Sequence, residues 1–272
     1  MSAMNAMNAT SVMNAPAARR PSLFWQLYLK EIRSMRGLVV FAALAFATLF
    51  VYLWTRIGVW PGEAIGALSA IPIALLPFWA IWAGFNSLRG EWQDKTVFYW
   101  LSLPARGAAL LGAKTLGIAT AAVVLYLVAG LGFSLFLWTQ QIALISPSSA
   151  VTNALLEDAV KISILLLMNL VAAALLAQLS YAVGQTVHRL RWLASGATFF
   201  GLLWLGGRLS VYLFNALDFL GGIRLMGVND GPYGPVVTST AALPVAVPVV
   251  IVLGIAVLFA AGAWILEKRA EA

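Results

Sequence analysis

The sequence has no cysteine and one histidine, His188. Disulfides, thiolate metal sites and thiol nucleophiles are excluded, and a histidine metal cluster cannot be assembled. Charge is scarce as well. Only 10% of the 272 residues are Asp, Glu, Lys or Arg, against about 25% in a typical soluble domain. No carboxylate falls in the middle of an apolar run, so paired acid–base catalysis has no groups to use, and neither does the usual intramembrane proton relay. There is no Gly-x-Ser-x-Gly elbow and no His-Glu-x-x-His pair. The segment from Gly107 through Gly112 and Lys114 to Thr115 looks like a phosphate-binding loop, but it has one residue too many between Gly112 and Lys114. It also sits in a helical apolar context, where the backbone N–H groups are already used. The chain is therefore not expected to bind ATP, a metal or any other cofactor, and no enzymatic activity is expected of it.

What is abundant is apolar. The chain is 62% hydrophobic with a mean hydropathy of +0.90. A bilayer-spanning helix needs about 20 apolar residues, and six runs qualify: 38–55, 64–85, 115–138, 162–185, 192–215 and 243–266. They are continuously apolar rather than alternating, which disfavours a β-barrel, and backbone groups in hydrocarbon must be satisfied within each segment. The expected fold class is an all-α polytopic membrane protein, one transmembrane domain over 21–272. Residues 1–20, with repeated Met-Asn-Ala and little apolar bulk, are expected to be a disordered cytosolic tail.

The segments between the runs carry their own expectations. In Pro21–Arg36, residues Leu23, Phe24, Leu27, Tyr28, Ile32 and Met35 share one helical face, with Gln26, Lys30, Arg33 and Arg36 largely away from it. This pattern predicts an interfacial amphipathic helix, set off from the first span by Gly37. Thr139–Asp158 reads as a polar loop and Asp218–Ala242 as a Gly-rich loop. Lys161 follows Glu157 at i+4, the favoured order for a helical ion pair. Asn169, Gln178, Ser180, Tyr181 and Gln185 dot the fourth span and read as interhelical glue. Arg208 lies sixteen residues after Trp192, about 24 Å of helix, close enough to snorkel to the outer interface. With Asp218 it is a candidate outer gate.

The net charge of +7 and the pI near 10.0 suggest nucleic acid at first sight. The distribution of charge points instead to the lipid bilayer. An even number of spans puts both termini on one side. Arg56, Lys161, Arg208 and Arg224 fall on the opposite side, and the other 13 of the 17 basic residues fall on the side of the termini. Lys and Arg concentrate in cytoplasmic loops, so both termini are expected in the cytoplasm, with the chain in the plasma (inner) membrane. Nucleic-acid binding is not expected.

The longest charged interval between two runs is Leu88–Lys114, LRGEWQDKTVFYWLSLPARGAALLGAK. The order within it is a Glu soon after a span, a Thr, a short apolar helix, Leu-x-x-Pro-x-Arg, and a Lys opening the next span. The matching residues are Glu91, Thr96, Leu101, Leu103, Pro104, Arg106 and Lys114. This interval, with the six spans and the amphipathic N-terminal segment, resembles the permease subunits of type-2 ATP-binding-cassette (ABC) exporters. Lys95 stands where that family often has Gly. The resemblance implies a half-transporter: a second permease subunit, identical or related, pairs with it, and each half engages a separate cytosolic ABC ATPase that carries the ATP and Mg. It further implies an N-terminal elbow helix and a coupling helix at Asp94–Leu103, between the second and third spans.

Physical chemistry fits that role. Asp94 or Thr96 suits the N-cap, Pro104 ends the helix, and Phe98, Tyr99 and Trp100 supply rigid aromatic anchors. Glu91, Asp94, Thr96, Phe98, Tyr99, Trp100, Leu103, Pro104 and Arg106 are the candidate contacts to the ATPase. The basic turn His188, Arg189 and Arg191 is a second docking candidate. The expected function is export of a hydrophobic or amphipathic substrate using the partner's ATP hydrolysis. The alternatives are a self-sufficient channel or secondary carrier, and a membrane enzyme acting on lipid.

Overall fold

The computed structural model describes residues 23–93, 107–141, 149–187, 190–231 and 234–270. In chain order these form α1 (Leu23–Trp54), α2 (Gly62–Ser69), α3 (Ile71–Gln93), α4 (Gly107–Gln141), α5 (Ser149–Gly184) and α6 (Arg191–Ala216). A short 3-10 turn (Asp218–Leu220), β1 (Gly222–Gly231), β2 (Gly234–Pro244) and α7 (Ala246–Ala270) complete the order. Six helical segments are long and apolar enough to cross a membrane, with α2 and α3 together forming the second.

The second span is interrupted at Ala70 for a local reason. Pro72 cannot donate a backbone N–H, so the ladder skips a rung there. The backbone of Ala70 stays in the right-handed helical region, its N–H still reaches Gly66 O, and Ala74 N–H reaches Ala70 O at 3.0 Å. The helical run therefore continues across the break.

Two helices form the centre. The α5 helix packs against α3, α4, α6, α7 and the hairpin, while α4 packs against α1, α2, α3 and α7. The α1 helix runs alongside α4, with the Phe24 ring near Gly112 and the Phe50 ring at Gly132. Leu76 and Ala80 of α3, Ala122 and Leu125 of α4, and Leu170 of α5 make the mid-bundle core. Lipid tails are as apolar as these side chains, so close backbone approach rather than water exclusion holds such helices together. Gly84 shows it: a Cβ there would stand 2.5 Å from Ala174 O and 2.9 Å from Ala177 Cβ. By contrast α6 buries only Ser195, and its Trp192, Phe200 and Trp204 face outward.

Four sequence expectations are corrected. No boundary occurs at Gly37, because α1 is one 32-residue helix from Leu23 to Trp54. One interior glycine costs a helix only about 1 kcal/mol, and its flanks are strong helix formers. At about 48 Å, α1 exceeds the hydrocarbon thickness, so its amphipathic first turns extend the first span instead of forming a separate helix. The α3 helix continues past Phe85 to Gln93, so Asn86, Ser87, Arg89 and Glu91 are helical rather than loop. Most of the polar stretch 139–158 is helix too, since α4 reaches Gln141 and α5 begins at Ser149. The Gly-rich 218–242 stretch forms an antiparallel hairpin, pairing Gly222 with Pro244 through Gly231 with Gly234, with an irregularity between Leu225 and Met226. Pro244 therefore ends β2, and only Pro248 sits in the first turn of α7.

Candidate functional site

The charges of α1, α3 and α4 meet at one place. Lys114 lies two turns into α4 and is 1% exposed. Its Nζ donates to Glu31 Oε1 at 2.6 Å, to Ser87 O at 2.9 Å and to Glu91 Oε1 at 3.0 Å. An ammonium has three donors, and all three are matched. Glu31 and Glu91 are themselves buried. Lys30, half exposed, adds a contact to Glu91 Oε1 at 3.1 Å. Among the described residues, two carboxylates and two ammoniums meet here, and their mutual attraction offsets part of the desolvation cost of burying them.

Helix geometry explains the convergence. Leu27, Glu31 and Met35 recur at i, i+4 and i+8, so Glu31 belongs to the face of α1 that packs on α4. Gly117 lets it approach: a Cβ there would lie 3.0 Å from Glu31 Cβ. Leu88 and Glu91 are both buried on α3, one turn apart. Around this ion cluster runs a second, neutral network. Gln178 of α5, fully buried, donates to Ser87 Oγ at 3.1 Å and accepts from Thr115 Oγ1 at 3.1 Å. Tyr28 OH and Thr120 Oγ1 are 3.0 Å apart. Four helices are thus joined by polar contacts at one end of the bundle.

Beside the cluster, between α1 and α3, is a cleft of about 350 Å³. Lys30, Glu31, Ser34, Met35 and Leu38 line it from α1. Trp82, Ala83, Asn86, Ser87, Gly90 and Glu91 line it from α3.

Of the sequence-chosen residues, Glu91 is placed in the buried cluster together with Lys114. Asp94, Thr96, Phe98, Tyr99, Trp100, Leu103, Pro104 and Arg106 lie outside the described residues, as do His188 and Arg189. Arg191 is exposed at the start of α6. Arg208 is exposed on α6, with its guanidinium 5.7 Å from the centre of the Trp204 ring. Asp218 is exposed in the 3-10 turn, and no ion pair joins it to Arg208 among the described residues. The Lys161–Glu157 pair forms at 2.8 Å, and Lys161 also reaches Asp158 at 3.3 Å. Gln178 is glue, as expected, whereas Asn169 faces out of the bundle.

Sequence reasoning missed Glu31. The signal was present: an acid standing on an otherwise apolar face, between Leu27 and Met35, two turns from the start of a helix. No group of three or more potential metal ligands occurs among the described residues. No known protein-family model matches the sequence, and no curated protein matches it.

Proposed function

We propose that the chain is the membrane-spanning permease subunit of an ATP-driven exporter of the type-2 ABC kind, with ATP and Mg held by a separate cytosolic ATPase. The observation that carries this reading is the Lys114 cluster. Glu91 and Lys114 flank the 94–106 segment, and Lys114 bridges Glu91 to Glu31 of α1. A force applied to that segment by a docked partner reaches three helices through one buried ion cluster. An ion pair held this far from water has few soft degrees of freedom, so displacement passes along it instead of dissipating. The six apolar spans and the concentration of Lys and Arg on the side that holds this segment support the same reading. The segment 94–103 is the coupling helix in this proposal, the N-terminal part of α1 does the work of the elbow, and two permease subunits face each other. The cargo is hydrophobic or amphipathic.

The absence of cysteine makes the test direct. A single Trp100→Cys chain is co-expressed with a candidate cassette ATPase with which it forms a complex, itself carrying cysteines scanned over its surface. Disulfide crosslinks at one surface patch are expected. A complex that forms and crosslinks nowhere overturns the docking assignment. In the reconstituted complex, Glu91→Ala with Arg106→Ala should insert normally and lose substrate-stimulated ATP hydrolysis. Unchanged stimulation rejects the coupling role.

One observation favours a secondary carrier instead: Glu31 and Glu91 are buried carboxylates at a membrane edge, and such groups often relay protons. That reading expects uptake driven by a pH gradient in vesicles containing this chain alone.

A further inference from the structure

The cleft between α1 and α3 is graded along the membrane normal. At one end it is walled by Glu31 and Glu91, with Lys30 at the rim. Leu38 lies seven residues beyond Glu31, about 10 Å along α1, and Trp82 lies nine residues before Glu91, about 13 Å along α3. Because the two helices are antiparallel, Met35, Leu38 and Trp82 line the same deeper end. The cleft is anionic at the membrane edge and apolar towards the membrane interior.

The charge inside it is also uneven. Glu31, Glu91 and Lys114 together carry one net negative charge, and Lys114 is sealed behind them at 1% exposure. Among the described residues, the cation on the open side is Lys30, whose side chain is 46% exposed and whose ammonium reaches Glu91 Oε1 at 3.1 Å. Lys114 is sealed from solvent and Lys30 is not, so Lys30 is the cation with which an incoming ammonium can compete for Glu91. Its alkylammonium side chain shows in place what chemistry the wall accepts: a primary ammonium on a methylene chain.

We propose that this cleft binds an amphiphile with a primary ammonium head from the leaflet on the Lys- and Arg-rich side, its chain lying along Met35, Leu38 and Trp82, with Lys30 as the built-in competitor for the head. Two sources share this chemistry, an aminophospholipid of the leaflet and a free long-chain amine. The site stands on the cleft and its charge and does not depend on the ATPase partner, so its failure and that of the exporter reading are separable.

The test uses the full chain in phosphatidylcholine nanodiscs without any ATPase. One sample contains a photoactivatable phosphatidylethanolamine and a second the matching phosphatidylglycerol. Dodecylamine is added as competitor, with dodecanol as its uncharged control. Labelling of the α1 and α3 peptides containing Met35 and Trp82 is expected to be at least fivefold higher with phosphatidylethanolamine, and to be displaced by dodecylamine but not by dodecanol. If phosphatidylethanolamine fails to label but a photoactivatable dodecylamine labels the same peptides, the source is the free amine and the site stands. Lys30→Ala, which leaves the buried trio intact, should raise labelling severalfold. Ser34→Trp, which fills the cleft without touching the ions, should abolish it. Equal labelling by phosphatidylglycerol, equal competition by dodecanol, or labelling unchanged in both variants overturns the proposal.

Discussion

At the scale of single residues, Lys114 is a buried cation held on every side. Its three donors each have an acceptor within 3.0 Å, and the two carboxylates depend on it in return. Removing one partner of a buried charge cluster leaves an uncompensated charge, at a cost of about 3–5 kcal/mol. Lys114→Met should therefore lower the thermal unfolding midpoint in detergent markedly, relative to the parent. The triple change Lys114→Met, Glu31→Gln and Glu91→Gln removes all the buried charge together and should recover most of the loss. A triple variant no more stable than the single one rejects the cluster as the cause. Parts of this site were legible in the sequence. Glu91 and Lys114 stood out because one follows the second apolar run and the other opens the third. Glu31 did not, because its own segment was rich in polar residues and a lone acid among Lys30 and Arg33 reads as surface. Only the packing of α1 on α4 turns that acid inward.

At the scale of elements, the apolar runs made the spans legible, since a continuous run of about 20 residues leaves the backbone no alternative to helix. Their ends were less so. Polar residues at a membrane edge are equally at home in a loop or in the last turns of a helix, which is why Asn86–Gln93 and Ser149–Asp158 read as loop and fold as helix. The hairpin at Gly222–Pro244 was hidden for a different reason. Its strands are interrupted by glycine and lack a sustained alternation of apolar and polar residues, the pattern that announces a strand. Close packing of elements makes a sharper prediction. Gly84→Ala places a Cβ 2.5 Å from a backbone carbonyl of α5, which cannot rotate away, so a loss of about 1–3 kcal/mol is expected. Gly37→Ala meets nothing within 4 Å in the unbroken α1 and should be neutral or raise stability by up to about 1 kcal/mol. The comparison of the two midpoints reads both claims. Destabilisation by Gly37→Ala counts against a continuous α1, because a chain that bends at residue 37 needs the glycine there.

At the scale of the whole molecule, six spans and one charge asymmetry constrain each other. Arg56 sits in the turn after α1, its guanidinium 5.1 and 5.7 Å from the ring centres of Tyr52 and Trp60. An arginine beside tyrosine and tryptophan suits an interfacial anchor. Leu190 lies in the turn between α5 and α6, an even number of spans away from the N-terminus, and Val59 lies an odd number away. The two turns must therefore open to opposite sides if all six segments cross. Both positions are solvent-accessible in the fold, Val59 at 70% and Leu190 at 53%, and the chain has no other cysteine to confuse a label. With Val59→Cys and Leu190→Cys made singly, a membrane-impermeant maleimide added to intact cells or right-side-out vesicles should react with Val59→Cys at once, and with Leu190→Cys only after permeabilisation. Labelling of both from the same side means that one apolar helix does not cross, and the charge asymmetry that pairs Leu88–Lys114 with the termini dissolves with it. Labelling in the reverse order keeps the six spans but turns the molecule over, which places the Lys114 cluster and the 94–106 segment outside, beyond the reach of any cytosolic ATPase.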